Sequence, residues 1–287
     1  MSGFEASWLA LRTPADARAR SLELETALRD ELRQALHAGF PHVRPWLAAD
    51  LACGTGSNVV RLAPRLPGPQ RWRLVDSDDA LLRHARERCV GLVDAAGAPA
   101  HATVERADLA GPALEAACAG ARLVTASALL DLVSAAWLDR LASACARAGA
   151  IALCVLDYDG RRSCAPADPD DAAAHAAFDA HQRRDKGFGP ALGPDACVRA
   201  AAAFAARGYR VRRARSDWQL DAADAADAAL QRELLRGWAA AAIEAVPGER
   251  GRFEGWLERR LAHVDAGRSV LLVGHEDLLA IPGGRDS

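Results

Sequence analysis

Apolar residues follow two different periods along the chain, and the period changes near residue 46. Leucines recur every four residues from Leu24 to Leu36, which is the spacing of one helix face. Pro41 then indicates the end of the helical stretch. We therefore expect a helical lead over residues 4–40, within an N-terminal unit 1–45 that covers a core or forms a lid over a pocket.

From Trp46 onward, short apolar runs of strand length alternate with helical stretches. Strands are expected at 47–52, 72–75, 102–104, 122–126 and 150–156. Helices are expected between them at 57–66, 79–90, 112–119 and 136–147. This alternation predicts right-handed βαβ units and an α/β fold, a Rossmann-like doubly wound sheet that is mostly parallel.

The second half of the chain keeps this alternation but adds two longer segments. The later elements are expected as helices at 171–183 and 195–207, a strand at 208–214, and a final strand at 269–281. Pro, Asp and Gly punctuate residues 160–195, and residues 221–264 have a helical pattern. We predict one domain over 46–287, with 160–195 and 221–264 as a loop/helix insertion and a helical insertion.

Charge and composition exclude several classes of protein. The 287 residues include 36 Lys and Arg against 38 Asp and Glu, so the formal net charge is -2. A near-neutral chain lacks the large positive field of a general nucleic-acid binder. Apolar runs stay below the ~18 residues of a membrane span, and the start does not resemble a signal peptide. The sequence predicts a cytoplasmic protein of GC-rich bacterial composition, and leaves a homodimer open.

Two residue types are expected to serve packing rather than chemistry. The seven cysteines lack CxxC or Cys/His ligand spacing and mostly lie among apolar residues, so they predict reduced buried thiols and no metal site. Trp218, Trp238 and Trp256 fall at helical or strand positions in the C-terminal region and are expected in the core.

A glycine-rich turn follows the first predicted strand and opens a helix. Gly54 and Gly56 let the backbone approach a ligand closely. A P-loop is excluded because no Lys follows, and a dinucleotide fingerprint lacks its third glycine, since Val59 stands there. A carboxylate at the strand end, Asp50, repels a pyrophosphate and suits a ligand with a positive amine or sulfonium.

In this segment the chain resembles the class I S-adenosylmethionine (SAM)-dependent methyltransferases, whose first motif is D/E-x-G-x-G-x-G. Asp50, Gly54 and Gly56 match the motif, and Ala52 replaces its first glycine. The resemblance covers about residues 46–157. The family usually ends in a reversed strand, and residues 269–281 are the candidate for it. It implies SAM as the cofactor and methyl transfer to a small-molecule acceptor by SN2 displacement from the sulfonium.

The resemblance also implies which residues hold the cofactor. Asp76, at the end of the second strand, would accept the ribose hydroxyls, and Asp108 would accept from the adenine amino group. Ser127 ends the fourth strand, in the segment that lines the methionine part of SAM in the family. The chain lacks the Asn/Asp-Pro-Pro-Tyr/Phe motif of amino-directed DNA methyltransferases. The implied cofactor-binding residues are Asp50, Ala52, Cys53, Gly54, Gly56, Asn58, Asp76, Ser77, Asp108, Leu109 and Ser127.

Residues beyond the fourth and fifth strands are candidates for the acceptor side. The catalytic candidates are Asp131, Tyr158 and His181, and His181 is the preferred general base because its ordinary pKa lies near neutrality. Residues 181–190 are expected to form part of the acceptor site and to move on binding. This segment contains Phe188 between two glycines, with the cations Arg183, Arg184 and Lys186 available for an anionic acceptor.

Three alternatives stay open at this stage. One is a SAM-binding scaffold or sensor without transfer activity. Another is aminopropyl transfer from decarboxylated SAM on the same fold. The third is a nicotinamide-dependent oxidoreductase, which would need a glycine in place of Val59.

Overall fold

The computed structural model describes residues 6–37 and 45–283. Its helices are α1 (Ala6–Ala19), α2 (Leu22–His37), α3 (Ser57–Leu62), α4 (Asp79–Arg88), α5 (Ala113–Cys118), α6 (Ala135–Ala148), α7 (Asp171–Gln182), α8 (Ala196–Ala205), α9 (Ala225–Ala245) and α10 (Arg250–Asp265). Its strands are β1 (Trp46–Leu51), β2 (Gln70–Asp76), β3 (His101–Arg106), β4 (Leu123–Ser127), β5 (Ile151–Ala165), β6 (Tyr209–Arg215), β7 (Trp218–Asp221) and β8 (Val270–Pro282).

The eight strands form one mixed sheet. Strand order is β3-β2-β1-β4-β5-β8-β6, and β7 pairs with part of β8. The pairs β1–β2, β1–β4, β2–β3 and β4–β5 are parallel, whereas β8 runs antiparallel to both β5 and β6. The prediction of an α/β, mostly parallel sheet with a reversed last strand is therefore confirmed.

Helices cover both faces of the sheet, as buried parallel strands require. Successive residues of β1 point to opposite faces, and both faces are buried at Ala48 and Ala49. Ala48 belongs to a core that includes Leu24 of α2 and Val59 of α3. Ala49 belongs to the opposite core, which includes Leu138 of α6.

A third core lies where β5 and β8 extend beyond the central sheet. The second half of β5 continues to Ala165 and pairs with the start of β8, with register shifts between Cys154 and Asp157 and between Tyr158 and Arg162. The polar segment after residue 156, where the predicted strand ends, is therefore part of a strand. Trp218, Trp238 and Trp256 are buried in this core, which confirms their predicted packing role.

The N-terminal lead consists of two helices instead of one continuous helix. The chain breaks after α1 because Arg20 is buried and the Ser21 N–H donates to Asp277 Oδ2 at 2.9 Å. The leucine face of α2 is buried on the sheet, as its spacing predicts. The expected end of the lead, near Pro41, lies outside the described residues.

The C-terminal helical insertion also differs in detail from its prediction. Strand β7 is too short to produce a visible period, and the predicted helix over 221–264 is divided into α9 and α10 around Pro247. All seven cysteines are free, and all but Cys164 are buried. Within residues 6–37 and 45–283, no helix is long and apolar enough to cross a membrane.

Candidate functional site

A cavity of about 900 Å³ opens at the carboxyl ends of the central parallel strands. This is the edge of an open α/β sheet at which ligands bind. Its wall combines the strand-end residues with α1 and with the segment after α7. The lining residues are Leu9, Arg12, Ala52, Gly54, Asp76, Ser77, Asp78, Asp79, Leu81, Arg106, Ala107, Asp108, Leu109, Ser127, Ala128, Leu129, Leu132, Gln182, Asp185, Lys186 and Phe188.

The glycine-rich turn between β1 and α3 brings backbone to the cavity surface. Gly54 and Gly56 have φ values of +54° and +76°, and Ala52 has a φ of +49°. A Cβ on Gly54 would lie 3.0 Å from Leu9 Cδ1, so the turn is also packed closely against α1. The positive φ of Ala52 places it in the left-handed conformation, for which glycine is better suited.

Asp50 is the most deeply buried acid at this turn. Asn58 Nδ2 donates to Asp50 Oδ1 at 2.7 Å and also lies 3.0 Å from Thr125 Oγ1. The other carboxylate oxygen, Asp50 Oδ2, has no hydrogen-bond partner among the described residues. Burial raises the pKa of Asp50 to about 7. A small pocket of about 70 Å³, which Asp50 lines, adjoins the main cavity.

Asn58 serves as a support for Asp50. Its Oδ1 accepts from Arg20 Nη1 at 2.6 Å, and Arg20 Nε lies 3.0 Å from Glu25 Oε1. Arg61 also pairs with Glu25, at 2.6 Å. Asn58 thus uses its amide to hold Asp50, and it also borders the small pocket, so its contact with a cofactor stays a prediction.

Asp76 joins the glycine-rich turn to the end of β2. Its two carboxylate oxygens accept from the Gly54 N–H at 2.9 Å and the Asp78 N–H at 3.0 Å. The side chain is buried but borders the cavity. Ser77, next along the chain, lies exposed at the cavity wall.

The other predicted cofactor residues occupy three positions around the cavity. Asp108 is exposed at its rim and accepts from the Ala110 N–H at 2.9 Å. Leu109 is buried in the wall, and Ser127 lines it at the end of β4. Cys53 lines only the adjoining small pocket, and burial raises the pKa of its thiol.

Tyr158 is placed away from the cavity, which contradicts the position expected of a catalytic residue. Its hydroxyl donates to Asp179 Oδ1 at 3.0 Å, and its ring packs edge-on against Phe178. The buried Arg162 lies over the ring and also donates to Asp179. The physical reason is the extension of β5, which carries this side chain into the third core.

Asp131 lies beneath the cavity wall instead of in it. The side chain is buried, and Oδ1 has no partner within the part of the chain that the structure describes. Burial raises its pKa to about 6, while Arg12 and Lys186 oppose the rise. A buried neighbour, Asp157, accepts from the N–H groups of the turn that precedes Asp131.

Part of the segment 181–190 lines the cavity. Gln182, Asp185, Lys186 and Phe188 contribute to the wall, and Phe188 packs edge-on against Trp137 at 5.7 Å between ring centroids. The neighbouring arginines, Arg183 and Arg184, form ion pairs with the surface acids Asp195 and Glu244.

Arg183 lies 3.7 Å from Asp195, and Arg184 lies 2.6 Å from Glu244. His181 is set behind Lys186 instead of facing the cavity directly, so its expected position is corrected as well.

Two cavity residues from α1, Leu9 and Arg12, were missed by sequence reasoning. Arg12 donates to both oxygens of Asp16, at 2.9 and 3.2 Å, and its guanidinium lies over the Trp218 ring. The sequence contains only a weak signal for these two residues, because the N-terminal lead is expected to cover a core or a pocket. No local pattern identifies which residues of such a helix face a cavity.

A group of metal-ligand type lies in the third core, away from the cavity. The ligand atoms of Cys164, Asp171 and His175 lie within 4.8 Å of one another. Asp171 is occupied by Arg260 and by the Trp256 indole N–H at 2.8 Å. Because a buried guanidinium already neutralises this carboxylate, the arrangement disfavours a cation.

Comparison with solved structures finds related folds at low identity. A SAM-dependent methyltransferase from Geobacter sulfurreducens in complex with S-adenosyl-L-homocysteine is 17% identical, covers 95% of this chain and 98% of its own, and has a TM-score of 0.42. A SAM-dependent methyltransferase from Thiobacillus denitrificans is 14% identical, with 96% and 99% covered and a TM-score of 0.44.

An O-methyltransferase family protein from Burkholderia thailandensis is 14% identical, with 97% of this chain and 58% of that chain covered and a TM-score of 0.47. A scan against protein-family models finds no match, and a search of curated proteins finds none either. The reaction is therefore inferred from the residues of the cavity.

Proposed function

We propose that the protein binds SAM in this cavity and transfers its methyl group to a small-molecule acceptor. The observation that carries the proposal is the convergence of Asp50, the Gly54 turn, Asp76 and Asp108 on one sheet edge, in the order that the motif set implies. The cavity volume lies within the roughly 300–1,000 Å³ typical of small-molecule sites.

The residues present fit SAM in three respects. The orphaned Asp50 Oδ2, in a pocket beside the glycine-rich turn, suits the ammonium of the methionine moiety. Asp76 would hold the ribose hydroxyls, with its orientation set by the Gly54 and Asp78 N–H groups. Asp108, with the following Leu109 backbone, would hold the adenine.

SAM supplies an electrophilic methyl group on a sulfonium when it is bound. The chain itself has to align the acceptor with that methyl group and keep water away, since alignment and desolvation supply much of the rate in such a displacement. Apolar side chains suit the second task, because they form much of the wall and come from α1, α4, the turns after β3 and β4, and the segment after α7. They are Leu9, Leu81, Leu109, Leu129, Leu132 and Phe188.

A nicotinamide oxidoreductase is less compatible with the turn. Val59 occupies the position of the third fingerprint glycine, and its side chain is fully buried in the core. Asp50 also lies beside the turn where a pyrophosphate would bind, and like charges repel.

The deciding experiment is calorimetric titration of the protein with S-adenosylhomocysteine and, separately, with NADH. We expect saturable binding of S-adenosylhomocysteine and none of NADH. The Asp76→Ala variant should bind at least about tenfold more weakly, because a charged hydrogen bond contributes roughly 1.5–3 kcal/mol. Asp265→Ala, an exposed acid on α10, is the matched control and should bind normally. Tight NADH binding, or equal affinity in Asp76→Ala, contradicts the assignment.

The SAM-binding scaffold or sensor remains the second candidate, because the cofactor residues alone do not require transfer. Methyl-labelled SAM incubated with a panel of phenols, thiols, carboxylic acids and amines separates the two. Labelled product from any member supports the enzyme. Retained cofactor with no product across the panel favours the scaffold or sensor.

A further inference from the structure

Lys186 is the only lysine in the sequence, although the chain has 36 Lys and Arg in total. It lines the cavity, in the segment that follows α7. The two side chains are not equivalent at a reactive site. A guanidinium stays protonated at any pH a protein tolerates, whereas an amine can lose its proton and act as a base.

A hydrogen-bonded relay leads from Lys186 to the surface. Lys186 Nζ lies 3.3 Å from His181 Nδ1, and His181 Nε2 lies 3.3 Å from Glu244 Oε2. Arg184 Nη1 holds the other oxygen of Glu244 at 2.6 Å. In this arrangement neutral His181 carries its proton on Nε2 and donates it to Glu244, so that Nδ1 is free to accept from Lys186.

The surroundings of Lys186 disfavour its charged form. The side chain is half-buried, and no carboxylate of the described residues lies within ion-pair distance of its ammonium. Burial lowers the pKa of Lys186, and Arg184 lowers it further, while Glu244 and Asp131 oppose the shift. Arg12 and Arg106 are the other cations that line the cavity, and they pair with Asp16 and Asp79 respectively.

We propose that Lys186 is the general base of the acceptor site and that His181 is a positioning residue that holds it. This inference rests on the proposed methyl transfer. The neutral Lys186 amine takes the proton from an acceptor O–H, N–H or S–H as the acceptor atom bonds to the methyl carbon. The carbon–sulfonium bond breaks, its electron pair returns to sulfur, and S-adenosylhomocysteine leaves neutral. The new ammonium then passes its proton to His181 Nδ1 or to water.

The first test measures the Lys186 amine itself and needs no acceptor. Trinitrobenzenesulfonate labels unprotonated amines, and the Lys186 peptide is distinguished from the amino terminus by mass spectrometry. We expect a labelling midpoint below the ordinary lysine value of about 10.4. A midpoint at the ordinary value overturns the proposal.

Two neighbouring variants should move this midpoint in opposite directions. Glu244→Gln removes a charge that raises the Lys186 pKa, so the midpoint should fall. Arg184→Gln removes a charge that lowers it, so the midpoint should rise. His181→Ala should change the midpoint and the pH profile of turnover together. If His181 had only a structural role, His181→Ala would lower stability and leave the midpoints of labelling and of the turnover profile unchanged.

The second test compares Lys186→Arg and Lys186→Gln in turnover of the best acceptor from the panel above. We expect kcat to fall about 100-fold or more in both, as for loss of a general base, with S-adenosylhomocysteine affinity within twofold of wild type. In the wild type, kcat/KM should rise with pH to the same midpoint as labelling, because kcat/KM reports the ionisation of the free enzyme. Arg232→Gln, an arginine of α9 that pairs with Asp265 and does not line the cavity, is the matched control with normal turnover.

These outcomes separate the two proposals. Full activity in Lys186→Arg shows that the cation only binds an anionic acceptor group, and overturns the general base while methyl transfer stands. Absent S-adenosylhomocysteine binding in the wild type overturns the proposed function itself. If no panel member is methylated, the labelling midpoint and its two opposite shifts decide on Lys186.

Discussion

Ala52 shows how a single residue sets the strain of the binding turn. It replaces the first glycine of the motif but keeps a left-handed backbone, with φ at +49°. An L-residue in this conformation costs roughly 1–2 kcal/mol, whereas the added flexibility of an unfolded glycine costs about 0.5–1 kcal/mol. The strain is local, because the backbone must turn here between β1 and α3.

Ala52→Gly should therefore raise the free energy of unfolding by up to about 1 kcal/mol. Urea denaturation of the ligand-free protein measures the change. Ala240→Gly, on the exposed side of α9, is the matched control and should lose about 1 kcal/mol. A loss of stability at both positions would show that residue 52 carries no relievable strain.

Asp50 makes stability depend on pH in the direction opposite to that of an acid whose pKa is lowered in the fold. Its pKa is raised to about 7 in the fold, so the native state binds a proton that the unfolded chain releases near pH 4. Between these values stability falls as pH rises, because the unfolded chain binds fewer protons. Asp131 and Asp157 act in the same direction, while His175 and His275, whose pKa values are lowered by burial, act in the opposite one.

Comparison with Asp50→Asn isolates the contribution of this one acid. The variant should gain stability relative to wild type as pH rises from about 4 to 7, by up to about 4 kcal/mol. Asparagine keeps an acceptor for Asn58, so the fold should be preserved. Denaturation of Asp50→Asn and of the wild type at pH 4.5 and at pH 7.5 gives the difference in their free energy of unfolding at each pH. A constant difference across this range would mean that Asp50 is ionised throughout.

At the scale of elements, the junction between α1 and α2 supports the site from behind. Arg20 connects the lead to the turn through Asn58, and to α2 through Glu25. Burial lowers the pKa of Arg20, while Glu25 and Asp277 oppose the shift. The lead is thus joined to the central sheet by buried polar contacts as well as by the apolar face of α2.

Arg20→Met should destabilise the protein by about 3 kcal/mol. This is the lower end of the range for breaking a buried ion pair, because Arg61 still pairs with Glu25. The affinity for S-adenosylhomocysteine should fall as well, since Asn58 loses the contact that orients it. Denaturation and calorimetry measure both effects, with Arg236→Met on the surface of α9 as control. If stability and affinity change no more in Arg20→Met than in the control, the junction contributes little to either.

The extension of β5 is the element that moves the chemistry furthest from its expected place. Residues after Leu156 are rich in charge, and Gly160 has a φ of +87°. Their pattern is typical of a loop, yet pairing with β8 satisfies their backbone and makes them a strand. Tyr158 therefore belongs to a core, while Lys186 and Phe188 reach the cavity after α7.

At the scale of the whole molecule, the cavity joins α1 near the start of the chain, the central strand ends and the segment after α7. Binding of S-adenosylhomocysteine should therefore slow amide hydrogen exchange in residues 6–19, 52–58 and 182–189 together. Ligand at 100 times its Kd adds about 2.7 kcal/mol to stability, so the effect is measurable. Residues 250–265, on the far side of the third core, serve as the internal control. Protection confined to 52–58 would show that α1 and the α7 segment do not close the site.

The sequence by itself determined the central sheet and most of the side of the cavity assigned to the cofactor. Strands β1 to β4 and the helices between them follow from the alternation of short apolar runs with stretches of helical period. Asp50, Gly54 and Asp76 were identifiable because a turn and two strand ends place their ligand groups within a few residues of regular elements. The parallel sheet then brings those strand ends to one edge.

Only the tertiary structure decided what else reaches that edge. Arg12 comes from a helix whose sequence does not show which face is turned inward. His181 and Lys186 are close in sequence, but His181 reaches Glu244 only because α7 packs beside α9. The side of the cavity assigned to the acceptor is built from residues distant in sequence. Their relative positions depend on helix packing and on long-range strand pairing, neither of which leaves a periodic signal in the chain.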